Sequence, residues 1–191
     1  MNNPRILAFA GSLRRDSWNK KLARVAAEGA RTAGAEVTLL DLTDLPLPVF
    51  NEDLERDEGT PANATRLKEL MVAHHGLLIA SPEYNSSVTA ALKNAIDWAS
   101  RNAKGEPPLV AFQGKVAALC AASPGQLGGL RGLVTLRSIL SNIGVVVLPQ
   151  QVALPKAHEL FAPTGELSDA SRDAQVKKLG ADLAQFLLRL G

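Results

Sequence analysis

Five short strand-like runs alternate with longer stretches of helical periodicity, and this alternation leaves few folds open to the chain. The runs are Arg5 to Ala10, Glu36 to Asp41, Gly76 to Ser81, Lys115 to Ala122 and Ile143 to Pro149. Strands separated by helices predict a parallel sheet with helices on both faces. Helical periodicity is clearest at residues 88, 92, 95, 96 and 99 and at 176, 179, 183, 186, 187 and 190, two apolar faces suited to packing on a sheet. These connections allow the strand order 2-1-3-4-5, in which a ligand lies where the winding reverses, between strands 1 and 3. The loops after residues 10 and 81 should therefore meet. Two longer connections, 45–61 and 101–114, read as loops of the kind that are functional or mobile. With no repeat, low-complexity tract or linker, residues 1–191 are expected to form one domain.

After the first strand comes Gly11-Ser12-Leu13-Arg14-Arg15-Asp16-Ser17-Trp18-Asn19-Lys20, with a helix expected to start near Ser17. Gly11 lets the backbone turn, Ser12, Ser17 and Asn19 offer side-chain donors, and Arg14 offers a charged fork. The helix N-terminus adds free N–H groups and the positive end of a dipole. A phosphate monoester suits such a cradle, although an N-capped helix with solvated arginines accounts for the same residues. Arg14 and Arg15, as neighbours, point in different directions, so only one is needed. Neither Gly-x-Gly-x-x-Gly nor Gly-x-x-x-x-Gly-Lys-Ser/Thr is present, which argues against a dinucleotide fingerprint and a nucleoside triphosphatase. Asp41 lies 30 positions after Gly11, beyond the spacing of about 20 for a ribose-binding acid, and reads as a strand-end residue.

Ser81-Pro82-Glu83-Tyr84-Asn85-Ser86-Ser87 follows the third strand and holds the only tyrosine in the chain. An aromatic ring beside amide and hydroxyl groups at the end of a strand suits a flat, polar-edged ligand. The same residues also describe a turn in which Pro82 stops the strand, Tyr84 fills a gap and Ser86 or Ser87 caps the next helix.

Gly-Ser-Leu-Arg-x-x-Ser-x-Asn after the first strand and Ser-Pro-Glu-Tyr-Asn-x-Ser-x-x-x-x-Leu-Lys-Asn-Ala-Ile-Asp-Trp after the third resemble the NADPH-dependent FMN reductase family. Within it the chain is most similar to flavin-containing quinone and chromate reductases, over about residues 5 to 150. The resemblance implies an α/β fold, a flavodoxin-like three-layer sandwich with a five-stranded parallel sheet in the order 2-1-3-4-5. It implies that Ser12, Arg14, Ser17 and Asn19 hold the FMN phosphate and that Pro82, Glu83, Tyr84 and Asn85 run beside the isoalloxazine ring, with Ser87 supporting that loop. A third segment, Ser123 to Gly129, matches the family's Gly-rich loop near the ribityl chain and ring, which carries over Ser123, Gly125 and Gly128. Pro124 departs from the pattern and removes one backbone donor.

The implied activity is an NAD(P)H-dependent oxidoreductase that passes hydride to flavin N5 and then two electrons to a quinone or another small acceptor, such as chromate, an azo compound or free flavin. FMN carries the chemistry, so no catalytic side chain is expected. Backbone N–H groups around Tyr84 and Asn85 could stabilise negative charge on the ring. Glu83 and Arg101 could border the nicotinamide entrance, with a solvated charge the plainer reading of Arg101. Family members commonly form dimers or tetramers, which makes the loop 101–114 and the region around Glu83 interface candidates for a homodimer or homotetramer.

Composition removes several other classes. A single cysteine, Cys120, excludes an internal disulfide, and its apolar neighbours make it a buried strand residue rather than a reactive thiol. A net charge of +2 without basic runs interleaved with aromatics gives no argument for nucleic acid. No apolar stretch approaches the roughly 20 residues of a membrane span, and the first run lacks the flanks of a secretory signal, so a cytoplasmic location is expected. His74-His75 lacks Cys or carboxylate partners at ligand spacing; these are expected to be helix-end histidines, with no metal.

Two further functions stand beside the reductase. One is a flavodoxin-like FMN electron carrier without substrate chemistry, which the positive charge disfavours because a carrier docking to basic partners would be acidic. The other is a serine hydrolase using Ser12 or Ser123 with His158, for which the Gly-x-Ser-x-Gly elbow is missing.

Overall fold

A computed structural model describes residues 3–190. Strands β1 (Arg5–Ala10), β2 (Glu36–Leu40), β3 (Gly76–Ala80), β4 (Val116–Ala122) and β5 (Val146–Leu154) form one parallel sheet in the order β2-β1-β3-β4-β5. Helices α1 (Trp18–Thr32) and α7 (Ala170–Leu190) cover one face, and α3 (Ala62–Ala73), α4 (Ala90–Ala99) and α5 (Leu130–Asn142) cover the other. Two shorter helices, α2 (Glu52–Glu58) and α6 (Ala157–Leu160), lie in connections. The expected three-layer, flavodoxin-like architecture is the one observed.

Apart from Arg5 at the start of β1, the central strands are apolar because both their faces are covered. Ile6, Ala8, Leu78, Ala80, Ala118 and Cys120 face α1 and α7, while Leu7, Phe9, Leu77, Ile79, Leu119 and Ala121 face the other helical layer. The alternation is the period-two geometry of a strand. On the alanine-rich side, α1 and α7 come into backbone contact. A Cβ on Gly29 would lie 1.9 Å from the Lys177 carbonyl oxygen, and one on Gly180 would lie 1.9 Å from that of Ala26. Leu190, assigned from sequence to the apolar face of α7, is exposed at the helix end.

Two segments differ from the sequence expectation. The fifth strand begins three residues later than Ile143 and runs through Pro149 to Leu154. Pro149 is tolerated because β5 is an edge strand and the ladder is irregular there: Ala117 pairs with Val147, but Leu119 pairs with Gln151. Arg137 of α5 donates to the carbonyls of Val147 (3.2 Å) and Leu148 (2.8 Å), satisfying groups the irregular ladder leaves over.

The connection 45–61 contains α2, whose cap Asn51 accepts from the Asp53 N–H at 2.9 Å. This helix buries no residue, so it carries no apolar period for the sequence to show. The first long connection is pinned to α4, and the second is tied to the first and to α3. Trp98 Nε1 and Asn94 Nδ2 each donate to the Pro48 carbonyl at 2.8 Å, and Arg101 pairs with Glu55 at 2.9 Å while lying over the Phe50 ring. Lys68 of α3 pairs with Glu106 and donates to the Arg101 carbonyl.

Candidate cofactor site

At the carboxyl ends of β1, β3 and β4, three loops enclose a cleft of about 230 Å³ lined by Ser12, Arg14, Ser17, Trp18, Asn19, Pro82, Glu83, Tyr84, Ala122, Ser123 and Pro124. The sequence motifs after the first, third and fourth strands therefore converge. Asn85, Ser87, Gly125 and Gly128 lie in the same loops but do not line the cleft. Trp18 escaped the sequence reading; the signal was its place just after Ser17 at the start of α1, where the Arg14 guanidinium lies 5.3 Å from its ring centroid.

Ser12, Ser17 and Asn19 are buried polar residues. The Arg14 N–H donates to Ser12 Oγ at 3.3 Å, and Arg14 Nη2 donates to the Asp16 carbonyl at 2.9 Å, which holds the guanidinium close to its own loop. Ser17 occupies the N-cap of α1 with extended backbone, yet its hydroxyl makes no capping bond. That hydroxyl and the first N–H groups of α1 remain available to an anion. Gly11, expected to let the backbone turn, does so without a left-handed conformation. Its role is close packing: a Cβ there would lie 2.8 Å from Leu92 Cβ of α4. Thr89 completes this contact, donating to the Gly11 carbonyl at 2.6 Å while its oxygen accepts from the Leu92 N–H at 3.0 Å. Thr89, not Ser86 or Ser87, is thus the N-cap of α4.

Asn19 is committed to a second strand end. Its Nδ2 donates to the Ala122 carbonyl at 2.8 Å and its Oδ1 accepts from the Ala122 N–H at 2.9 Å. Ser81 donates to the Cys120 carbonyl, so by the period of two Ala122 also points toward β3, which Pro82 has already ended. The carboxamide fills the place of the missing strand and keeps one Nδ2 proton for the cleft.

The loop after β3 closes into a two-residue turn. Tyr84 and Ser87 exchange backbone hydrogen bonds at 3.1 Å in both directions, with Asn85 at φ 50° and Ser86 at φ 65°. Positive φ at both central positions is the type I′ geometry, which Asn tolerates well. Ser87 therefore supports the loop through its backbone. Tyr84 does not fill a gap: it is 54% exposed. Its N–H is spent on Ser87, whereas the N–H groups of Asn85 and Ser86 have no acceptor among the described residues. Glu83 turns away from solvent, accepting from Arg131 Nε at 2.9 Å and from the Gly132 N–H at 3.1 Å in the first turn of α5. Burial would raise its pKa, but the Gly132 N–H and the Arg131 guanidinium outweigh it and hold the carboxyl below the usual carboxylate range.

The loop after β4 is folded tightly against the sheet. The Gly125 N–H donates to Ser123 Oγ at 3.2 Å, and the Ser123 backbone bonds to Leu154 and Ala157. Gly128 lies against β5, where a Cβ would meet the Leu154 carbonyl carbon at 2.6 Å; this glycine shapes the loop from outside the cleft.

Other candidates lie elsewhere. Arg101 belongs to the Glu55 and Phe50 cluster rather than to the cleft. His158 lies 3.5 Å from Glu159 and bonds to neither Ser12 nor Ser123, so no hydrolytic pair forms. Burial pushes the Cys120 thiol up to about 12, away from reactivity. Asp41 lies one residue beyond the end of β2 rather than in it, and accepts from the Thr43 N–H at 3.0 Å beside Lys20. A larger cavity, about 590 Å³, lies at the opposite end of the sheet beside Arg5, His74, His75 and Lys115. His74 is the C-cap of α3, and Arg5 and Lys115 donate to the carbonyls of Ala73 and His74, a helix-end arrangement favoured by the dipole.

The donor set at the three-loop cleft has two chemically different ends. Hydroxyls, a guanidinium and a helix N-terminus suit a phosphate; an exposed tyrosine and unspent turn N–H groups suit the polar edge of a flat ring. FMN matches both.

The sequence pattern of the family described as NADPH-dependent FMN reductase matches residues 4–159. An NAD(P)H-dependent FMN reductase of Pseudomonas aeruginosa is 38% identical over 166 residues, which cover 86% of this chain and 85% of the relative. A quinone reductase of Escherichia coli K12 is 34% identical over 166 residues, with coverage of 86% and 85%. Among solved structures, the flavoenzyme NAD(P)H:(acceptor) oxidoreductase FerB from Paracoccus denitrificans is similar with a TM-score of 0.81 at 29% identity, covering 97% of this chain and 98% of that one.

Proposed function

The chain belongs to the NADPH-dependent FMN reductase family, and from that membership we propose that its three-loop cleft is the FMN site of a quinone-reducing enzyme. It is an NAD(P)H-dependent oxidoreductase with FMN as cofactor. The observation that carries the site assignment is the convergence of Ser12, Arg14 and Ser17 with the Tyr84–Ser87 turn at one end of the sheet.

Bound FMN supplies two-electron exchange between a nicotinamide and an acceptor. The protein binds and orients. Ser12, Ser17, the Arg14 guanidinium and the amino end of α1 take the phosphate, and the spare Nδ2 proton of Asn19 adds a donor. The turn at Tyr84 leaves the Asn85 and Ser86 N–H groups unspent beside the cleft, where they would favour negative charge on a bound ring. Ser123, which lines the cleft, would border the middle of the cofactor, and Gly125, Gly128 and Ser87 would act by shaping the loops.

Exposed Leu13, Tyr84 and Leu127, on the three loops that form the cleft, suit a flat organic acceptor such as a quinone, an azo compound or free flavin better than the chromate oxyanion. The apolar stripe Leu127, Leu130 and Val134 beside the Tyr84 turn supports a homodimer or homotetramer, and we place the enzyme in the cytoplasm as a single FMN-binding domain. Gel filtration at micromolar concentration tests the assembly; a monomer removes it.

The enzymatic reading is tested by anaerobic titration of FMN-loaded protein with NADPH and NADH, followed by a panel of acceptors. Bleaching of the yellow absorbance and its return with a quinone are expected. Protein that stays colourless after incubation with FMN would overturn the site assignment.

A further inference from the structure

Among the described residues Glu83 is the one carboxylate lining the cleft, and its side chain is only 8% exposed. A negative charge beside a flavin ring is unfavourable for the reduced cofactor unless it is neutralised. Here it is neutralised from outside the cleft, by Arg131 and by the amino end of α5. We infer that Glu83 is a positioning residue: through Arg131 and the Gly132 N–H it clamps the Tyr84–Ser87 turn to α5 and so fixes the platform for the flavin ring. This rests on the FMN reading.

The surrounding packing is built for the clamp. Gly132 permits a close approach, since a Cβ would lie a tight 3.2 Å from both Glu83 Cβ and the Ser87 carbonyl oxygen. Gly129, the N-cap of α5, sits at φ 94°, and a Cβ there would come 2.6 Å from Ala121 Cβ of β4. The first turn of α5 therefore lies directly on the loop that carries Tyr84. Ser81 anchors that loop to β4 on one side, through its bond to the Cys120 carbonyl at 2.8 Å. Beyond Ser81, Glu83 is the side chain that ties the segment to another element before the turn closes on itself. Ring position is thereby linked to α5, at whose end the loop after β4 arrives.

The test compares Glu83→Ala, Glu83→Gln and Arg131→Met with the unaltered protein. Each is measured for FMN and riboflavin affinity by flavin fluorescence, for the visible circular dichroism of the bound flavin, and for thermal unfolding without flavin. Glu83→Ala is expected to weaken FMN and riboflavin by the same factor, about tenfold, because the loss is on the ring side. Glu83→Gln should restore much of this, since its amide oxygen accepts from the Gly132 N–H. Arg131 is 58% exposed, so Arg131→Met folds and should weaken both flavins about threefold, with altered dichroism. Lower thermal stability with unchanged affinity and dichroism would reduce Glu83 to a helix cap and overturn the inference. Loss of FMN with riboflavin retained would also overturn it, by moving Glu83 to the phosphate end. Unaltered protein that takes up neither flavin would instead sink the FMN reading itself.

Discussion

Asn19 and Ala122 are 103 residues apart in sequence and joined by a pair of hydrogen bonds, the amide donating at 2.8 Å and accepting at 2.9 Å. The first turn of α1 is thereby fixed to the end of β4. With Thr89 bonded to Gly11 and Glu83 bonded to Arg131 and Gly132, each of the three loops around the cleft is tied to an element beyond itself. Such cross-loop bonds hold a site in shape before its ligand arrives, which lowers the cost of binding.

Replacing Asn19 by Ala leaves a buried N–H and a buried carbonyl without partners, which should cost about 3 kcal/mol. Asn19→Asp should recover little, because it loses the donor and sets a carboxylate oxygen against the Ala122 carbonyl. Urea denaturation without flavin measures both. A loss below about 0.5 kcal/mol for Asn19→Ala would mean that water replaces the carboxamide.

Gly180→Ala reverses the usual helix rule. Alanine in a helix interior is ordinarily favoured by about 1 kcal/mol, but here its Cβ would fall 1.9 Å from the Ala26 carbonyl oxygen and push α7 away from α1. A net destabilisation of about 3 kcal/mol is expected from this overpacking. Calorimetry on the flavin-free protein reads it, and a variant as stable as the parent would show that the two helices separate freely.

Lys115 sets a pH dependence at the far end of the sheet. Burial, and secondarily the Arg5 guanidinium, lower its pKa from 10.5 to about 8. Between those values the unfolded chain holds a proton that the folded chain has lost, so this group's contribution to stability rises with pH. The stability of the parent relative to Lys115→Met should therefore increase from pH 8 to pH 10. A flat difference in chemical denaturation would contradict the shift.

Much of this was legible in the sequence, for physical reasons that can be named. The strands β1, β3 and β4 stand out because both faces are buried, and the parallel order follows from the helices between them. The loops at 11–19, 81–87 and 123–129 announce themselves by polar residues placed directly after apolar runs. Three things were hidden. Helix α2 buries nothing, so it has no period. Pro149 reads as a stop, although an edge strand with an irregular ladder accommodates it. The partners of Asn19 and Glu83 lie across the fold, at Ala122 and on α5, where no local pattern points.

The phosphate end of the cleft is tested most directly by titrating the protein and its Arg14→Ala variant with FMN and with riboflavin, which differ only in the phosphate. With Ser12, Arg14 and Ser17 proposed to hold the phosphate rather than the ring, Arg14→Ala should weaken FMN by at least about tenfold and leave riboflavin within about twofold. Equal weakening of the two flavins, or no weakening of FMN, would contradict it.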